Sequence, residues 1–68
     1  MENIASNIRN LRSKRKMSLE GLARRIGVSK SAVQKWEAGK TYPHILSIIE
    51  MCELFGVSLE EFVVGEEK

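Results

Sequence analysis

Apolar positions recur along this chain at helical spacing and are broken at intervals by serine, glycine and proline. Ile4, Ile8 and Leu11, with Arg15 at the end of the line, form one stripe beside Arg9, Arg12 and Lys14, which predicts a first helix over residues 2–15. It runs into the basic cluster Lys14-Arg15-Lys16, which complements the unpaired carbonyls of a helix C-terminus, and Lys16-Met17 reads as a turn. Ser18 is placed to cap a second helix over residues 19–26, because its hydroxyl can accept from an otherwise orphaned backbone N–H. There Leu22, Ala23 and Ile26 point inward, Arg24 and Arg25 outward, and Gly27 supplies the stop. Ser29 opens a third helix that ends near residue 38, before Gly39. Val33 and Trp36 form its inward stripe with Ala32 at the margin, while Lys30, Ser31, Gln34 and Lys35 share the opposite face.

Residues 40–42 read as a loop, and Pro43 suits the first turn of a fourth helix that runs to residue 55, where Gly56 closes it. Ser58-Leu59-Glu60-Glu61 has the spacing of a capping box and opens a short fifth helix to about residue 64. No strand-like alternation, repeat or linker interrupts the series. The expected fold is all-α: one five-helix domain over residues 1–68, with a helix-turn-helix at about 18–38. The fourth helix is more apolar than one buried face requires. Spacing assigns Ile45, Ile48, Cys52 and Phe55 to the core and leaves Leu46, Ile49 and Leu54 over, together with Val63 and Val64 of the last helix. Surplus apolar surface often marks an interface, so these residues are the expected homodimer contact; a wider core is the alternative.

Composition narrows the function. The 68 residues are 43% apolar and 29% charged, the balance of a small soluble domain rather than a disordered segment. Cys52 is the one cysteine, so no intrachain disulfide or multi-Cys metal site can form, and a reducing cytoplasm suits the chain. No apolar run reaches membrane-spanning length, and the N-terminus lacks the layout of a secretory signal. The net charge of +2 conceals a strong asymmetry: +7 over residues 1–40 and −5 over residues 41–68. A chain polarised this way offers a cationic end to a polyanion. Enzyme chemistry finds no support, since there is no Ser/His/Asp set, no glycine-rich phosphate loop, no metal cluster and only one histidine, His44. Trp36 reads as core rather than as a stacking platform, and Cys52 as a small buried hydrophobe. No cofactor and no metal are expected.

The ordered motifs carry a resemblance. Ile8-Arg9-Asn10-Leu11-Arg12, Leu22-Ala23, Gly27-Val28-Ser29, Trp36-Glu37-Ala38-Gly39-Lys40, Tyr42-Pro43 and Gly56-Val57-Ser58 stand in the order found in the Cro/repressor-type helix-turn-helix family of phage and bacterial regulators. The chain resembles that family from about residue 4 to residue 64, and each motif alone is weak where the set is strong. The resemblance implies a lambda repressor-like domain that binds double-stranded DNA, with its third helix in the major groove, where base edges are distinguishable. Lys30, Ser31 and Lys35, with Gln34 beside them, would read bases. Arg9, Arg12, Ser18, Leu19, Lys40, Thr41 and Tyr42 would meet phosphate on either side of the groove. Arg12 and Glu37 match the family's internal ion pair, which ties the first helix to the end of the third.

Three positions depart from the family. Leu19 stands where relatives often carry Gln, Gly21 replaces a better helix former, and Ala38 stands where Asn is common. The clamp on the DNA backbone loses side chains thereby, and the share of nonspecific electrostatic attraction grows. The expected function is transcription regulation, most simply as a repressor occupying an operator. The alternative is an antitoxin-like module that binds a partner protein and DNA secondarily. The Gly65-Glu66-Glu67-Lys68 end suits either a terminus or the start of a linker.

Overall fold

The computed structural model describes residues 2–65, with side chains from residue 4 onward, and among these residues it forms five α-helices and no strand. They are α1 Glu2–Lys14, α2 Leu19–Ile26, α3 Lys30–Glu37, α4 Ile45–Phe55 and α5 Leu59–Val64. Residues 66–68, including the last acidic pair of the expected tail, lie outside the described residues. Serine starts three of these helices. The Ser18 hydroxyl accepts from the Gly21 N–H at 2.9 Å and the Ser29 hydroxyl from the Ala32 N–H at 3.1 Å. Ser58 closes a full capping box: its hydroxyl accepts from Glu61 N at 3.0 Å, and its own N–H donates to Glu61 Oε1 at 2.8 Å.

The core draws on every helix. Ile4 and Ile8 come from α1, Leu22, Ala23 and Ile26 from α2, Val33 and Trp36 from α3, Met51 and Phe55 from α4, and Phe62 from α5. Packing runs α1 on α3 and α5, α2 on α3 and α4, and α4 on α5. Ile8, Leu22, Val33, Met51 and Phe62 are fully buried, one from each helix, so no helix can be displaced without opening the same centre.

The structure corrects the reading of α4 and of the end of α1. Pro43 is buried in the loop rather than in the first helical turn, His44 is the N-cap, and α4 begins at Ile45. Ile45, assigned to the core by spacing, is 54% exposed, whereas Met51 is fully buried and Ser47 nearly so. The inward line is therefore Ser47, Met51 and Phe55, flanked by the half-buried Ile48 and Cys52. With apolar residues around much of its circumference, the periodicity of α4 does not single out one face. Of the expected interface residues, Leu54 and Val63 are half-buried against the core, while Leu46, Ile49 and Val64 are exposed. Arg15 lies past the end of α1 and is exposed, and its guanidinium reaches the C-terminus of α4.

Candidate nucleic-acid interface

The turn between α2 and α3 is short because Gly27 takes a left-handed conformation (φ 75°), which costs glycine little and lets Val28 N donate back to Ala23 O at 2.9 Å. Val28 packs partly against the core, and Ala23, 3% exposed, lets the two helices approach. Ser29 then caps α3 by accepting from the Ala32 N–H, and the N-terminus of this helix carries a local partial positive charge.

The opposite faces of α3 differ as its sequence requires. Val33 and Trp36 are locked in the core, and Lys30, Ser31, Gln34 and Lys35 are all exposed. A helix fixed on one side and polar on the other can enter a groove without disturbing its own domain. At its C-terminal end Gly39 turns left-handed (φ 76°), Gly39 N donates to Trp36 O at 3.1 Å, and Lys40 N donates to Lys35 O at 2.9 Å. These bonds, with Thr41 N to Lys35 O at 3.5 Å, fix the backbone at Lys40 and Thr41 just beyond the exposed face of α3, and Lys40, Thr41 and Tyr42 are all exposed. Ser18, also exposed, and the N-terminus of α2 lie at the other sequence edge of the motif; the Leu19 side chain is half-buried against the core, which leaves only its backbone N–H for a ligand.

Arg12 and Glu37 form a bidentate pair, with Nε to Oε2 at 2.7 Å and Nη2 to Oε1 at 3.0 Å. The remaining Arg12 nitrogen, Nη1, donates to Met17 O at 2.8 Å. Donation to the Glu37 carboxylate, together with that carboxylate's charge, holds the Arg12 guanidinium above its ordinary pKa, against the opposing effect of burial. Arg12 thus ties the carboxylate at the end of α3 to the turn after α1. Arg9 reaches the same residue differently: its Nη1 donates to the Glu37 backbone carbonyl at 3.1 Å.

Like this Arg9 bond, the contacts of Asn7 and Arg15 have no counterpart in the sequence motifs. Asn7 Nδ2 donates to Phe62 O at 2.8 Å and to Val63 O at 3.3 Å, and Arg15 bonds the last carbonyls of α4. Arginines at 9, 12 and 15 recur every three residues, but that spacing is compatible with any solvated helix face. Burial, and secondarily the Glu53 charge, push the Cys52 thiol above its ordinary pKa, which disfavours the reactive thiolate. Among the described residues no group of three or more His, Cys, Asp or Glu could hold a metal ion, and no helix is long and apolar enough to cross a membrane.

A helix-turn-helix family model matches residues 8–62. The chain is similar to the HTH-type transcriptional activator BcrR of Enterococcus faecalis, with 37% identity over 60 residues that cover 88% of this chain and 29% of that protein. A crystal structure of a transcriptional regulator from Listeria innocua shares the fold, with a TM-score of 0.86 at 23% identity, covering 96% of this chain and 61% of that one. The chain therefore spans under two thirds of the length of each of these two relatives. With the match covering most of the chain and the motifs folded as described, this chain belongs to the Cro/repressor-type helix-turn-helix family of DNA-binding transcriptional regulators.

Proposed function

We propose that this chain binds a specific duplex DNA sequence by laying α3 in the major groove, and that it regulates transcription, in the simplest form as a repressor occupying an operator. The observation that carries this reading is the division of α3: Val33 and Trp36 are fixed in the core, while Lys30, Ser31, Gln34 and Lys35 are free on the other side. Lysine can donate to guanine O6 or N7, and serine pairs with several bases. Ser18 and the Leu19 N–H on one side, with Lys40, Thr41 and Tyr42 on the other, are the proposed phosphate grips. Arg12, half-buried and bonded through all three nitrogens, is assigned to holding α3 rather than to phosphate. BcrR is an activator by name, so activation is the second form of regulation. Groove binding is common to both, and the sign of a reporter response to the bound site separates them. The proposed place of action is the cytoplasm.

The exposed apolar residues Ile45, Leu46 and Ile49 on α4 favour a protein contact in addition, and we assign it to a homodimer. A second copy would present two α3 helices to half-sites about one helical turn apart, roughly 34–36 Å. Selection of bound duplexes from a random library at roughly physiological salt tests both parts, because purely electrostatic binding is weakened there. Enrichment of an inverted repeat with half-site centres about 10–10.5 base pairs apart is the expected result. A single half-site would remove the dimer and keep the reading of bases. No enrichment from folded protein would overturn the proposal in favour of the antitoxin-like module, whose mark is one stoichiometric protein partner recovered with the chain.

A further inference from the structure

Polar side chains of α1 and its end reach the C-termini of the three helices that follow the turn: Asn7 reaches α5, Arg15 reaches α4, and Arg9 reaches α3. The last carbonyls of a helix have no intrahelical donor and carry partial negative charge, so a guanidinium there forms a charge-assisted bond. At α3 the attachment is double and falls on one residue, Glu37. Arg12 holds its carboxylate, and Arg9 holds its backbone carbonyl at 3.1 Å. The two bonds constrain different things. A carboxylate sits on a stem of rotatable bonds, so the Arg12 pair alone leaves the helix end free to slide while the stem adjusts. A bond to the carbonyl acts on the helix itself.

We propose that Arg9 is a positioning residue for DNA reading, which fixes the C-terminal end of α3 and thereby sets sequence discrimination, and that it does not contact phosphate. This rests on the DNA-reading function proposed above and replaces the phosphate role that the family resemblance gave Arg9. Lys35, two residues before Glu37, is the reading-face side chain nearest this anchor in sequence. A recognising group must be held to about 0.5 Å to keep its contact, so slack at Glu37 reaches Lys35 first.

The test compares wild type, Arg9→Gln and Arg9→Lys on the selected duplex and on a duplex altered at the base pair whose identity depends on Lys35. Binding is measured across a range of salt concentrations, with thermal melts of the same samples. Arg9→Gln is expected to leave the slope of log affinity against log salt unchanged and to reduce the matched-to-altered ratio by about tenfold, on the scale of one base contact. Arg9→Lys keeps a charge and a donor and should recover most of that ratio; it also carries the comparison if the Gln variant melts below the assay temperature. Loss of about 0.9 from the slope, with equal weakening on both duplexes, would make Arg9 a phosphate contact and overturn the proposal. So would an unchanged ratio in both variants. A wild-type chain that discriminates between no sequences would overturn the DNA-reading function first, and the role of Arg9 with it.

Discussion

Arg15 donates from Nη2 to the Phe55 carbonyl at 2.8 Å while its guanidinium carbon lies 5.9 Å from the centroid of the Phe55 ring. Its Nη1 also reaches Leu54 O at 3.3 Å. One cation thus binds the last two carbonyls of α4 and covers the face of a core aromatic, joining the end of α1 to a helix that lies beyond the helix-turn-helix. The same residue adds to the positive charge of the N-terminal half, so part of that charge serves the fold.

Arg15→Gln should therefore lower stability by about 1 kcal/mol, the net worth of a partly exposed hydrogen bond. In a domain of this size that corresponds to a fall in Tm of about 4–8 °C. DNA affinity at a temperature where both proteins are folded should change little. A variant that melts like wild type but loses salt-dependent DNA binding would show that Arg15 faces phosphate instead.

The Arg12–Glu37 pair is largely enclosed, with side-chain exposures of 17% and 9%. Glu37→Ala leaves a guanidinium without its carboxylate and should cost about 3 kcal/mol, the lower end for breaking an enclosed pair. Arg12→Met added to Glu37→Ala removes that stranded charge, so the double variant should be no less stable than Glu37→Ala alone in urea unfolding. Strictly additive losses would mean that the two residues act independently. Raising the pH offers no substitute for mutation. The folded pKa of Arg12 is raised, so its contribution is whole below the ordinary guanidinium range and disappears only above it, beyond conditions in which the protein is handled.

Gly21 stands inside α2, where Ala would gain about 1 kcal/mol in helix propensity. A Cβ there would lie 3.1 Å from Ser18 Oγ, the hydroxyl that caps this helix. Gly21→Ala should consequently stabilise wild type by less than that figure and should give the full gain only when Ser18 is replaced by Ala. Equal gains in the two backgrounds, read from denaturation midpoints, would show that the cap yields without cost.

Lys30 and Lys40 are both exposed, and the proposed roles give them different signatures. Lys30→Ala should lose about 1–3 kcal/mol of binding free energy on the selected site and relax preference at one base pair. Lys40→Ala should weaken all duplexes alike and flatten the salt dependence by about one unit of slope. Identical behaviour of the two variants in a binding titration would dissolve the distinction between reading and gripping.

Much of this protein was legible because its helices are written in local chemistry. Ser18, Ser29 and Ser58 cap where a hydroxyl precedes an apolar period, Gly27, Gly39 and Gly56 stop where a left-handed residue is needed, and Val33 and Trp36 point inward because Lys30, Gln34 and Lys35 cannot. Local preference and hydrophobic period act over a few residues, so sequence by itself determined the helices, the division of α3 and, through ordered motifs, the family. Tertiary structure alone decided the face of α4, where Met51 is buried and Ile45 is exposed although both are apolar. It alone decided that Arg9, Arg15 and Asn7 end on the carbonyls of α3, α4 and α5, residues 28 to 55 positions away in the chain. Such bonds depend on where two helices cross in space. No periodicity within one helix encodes that position; it follows from how five faces share one core.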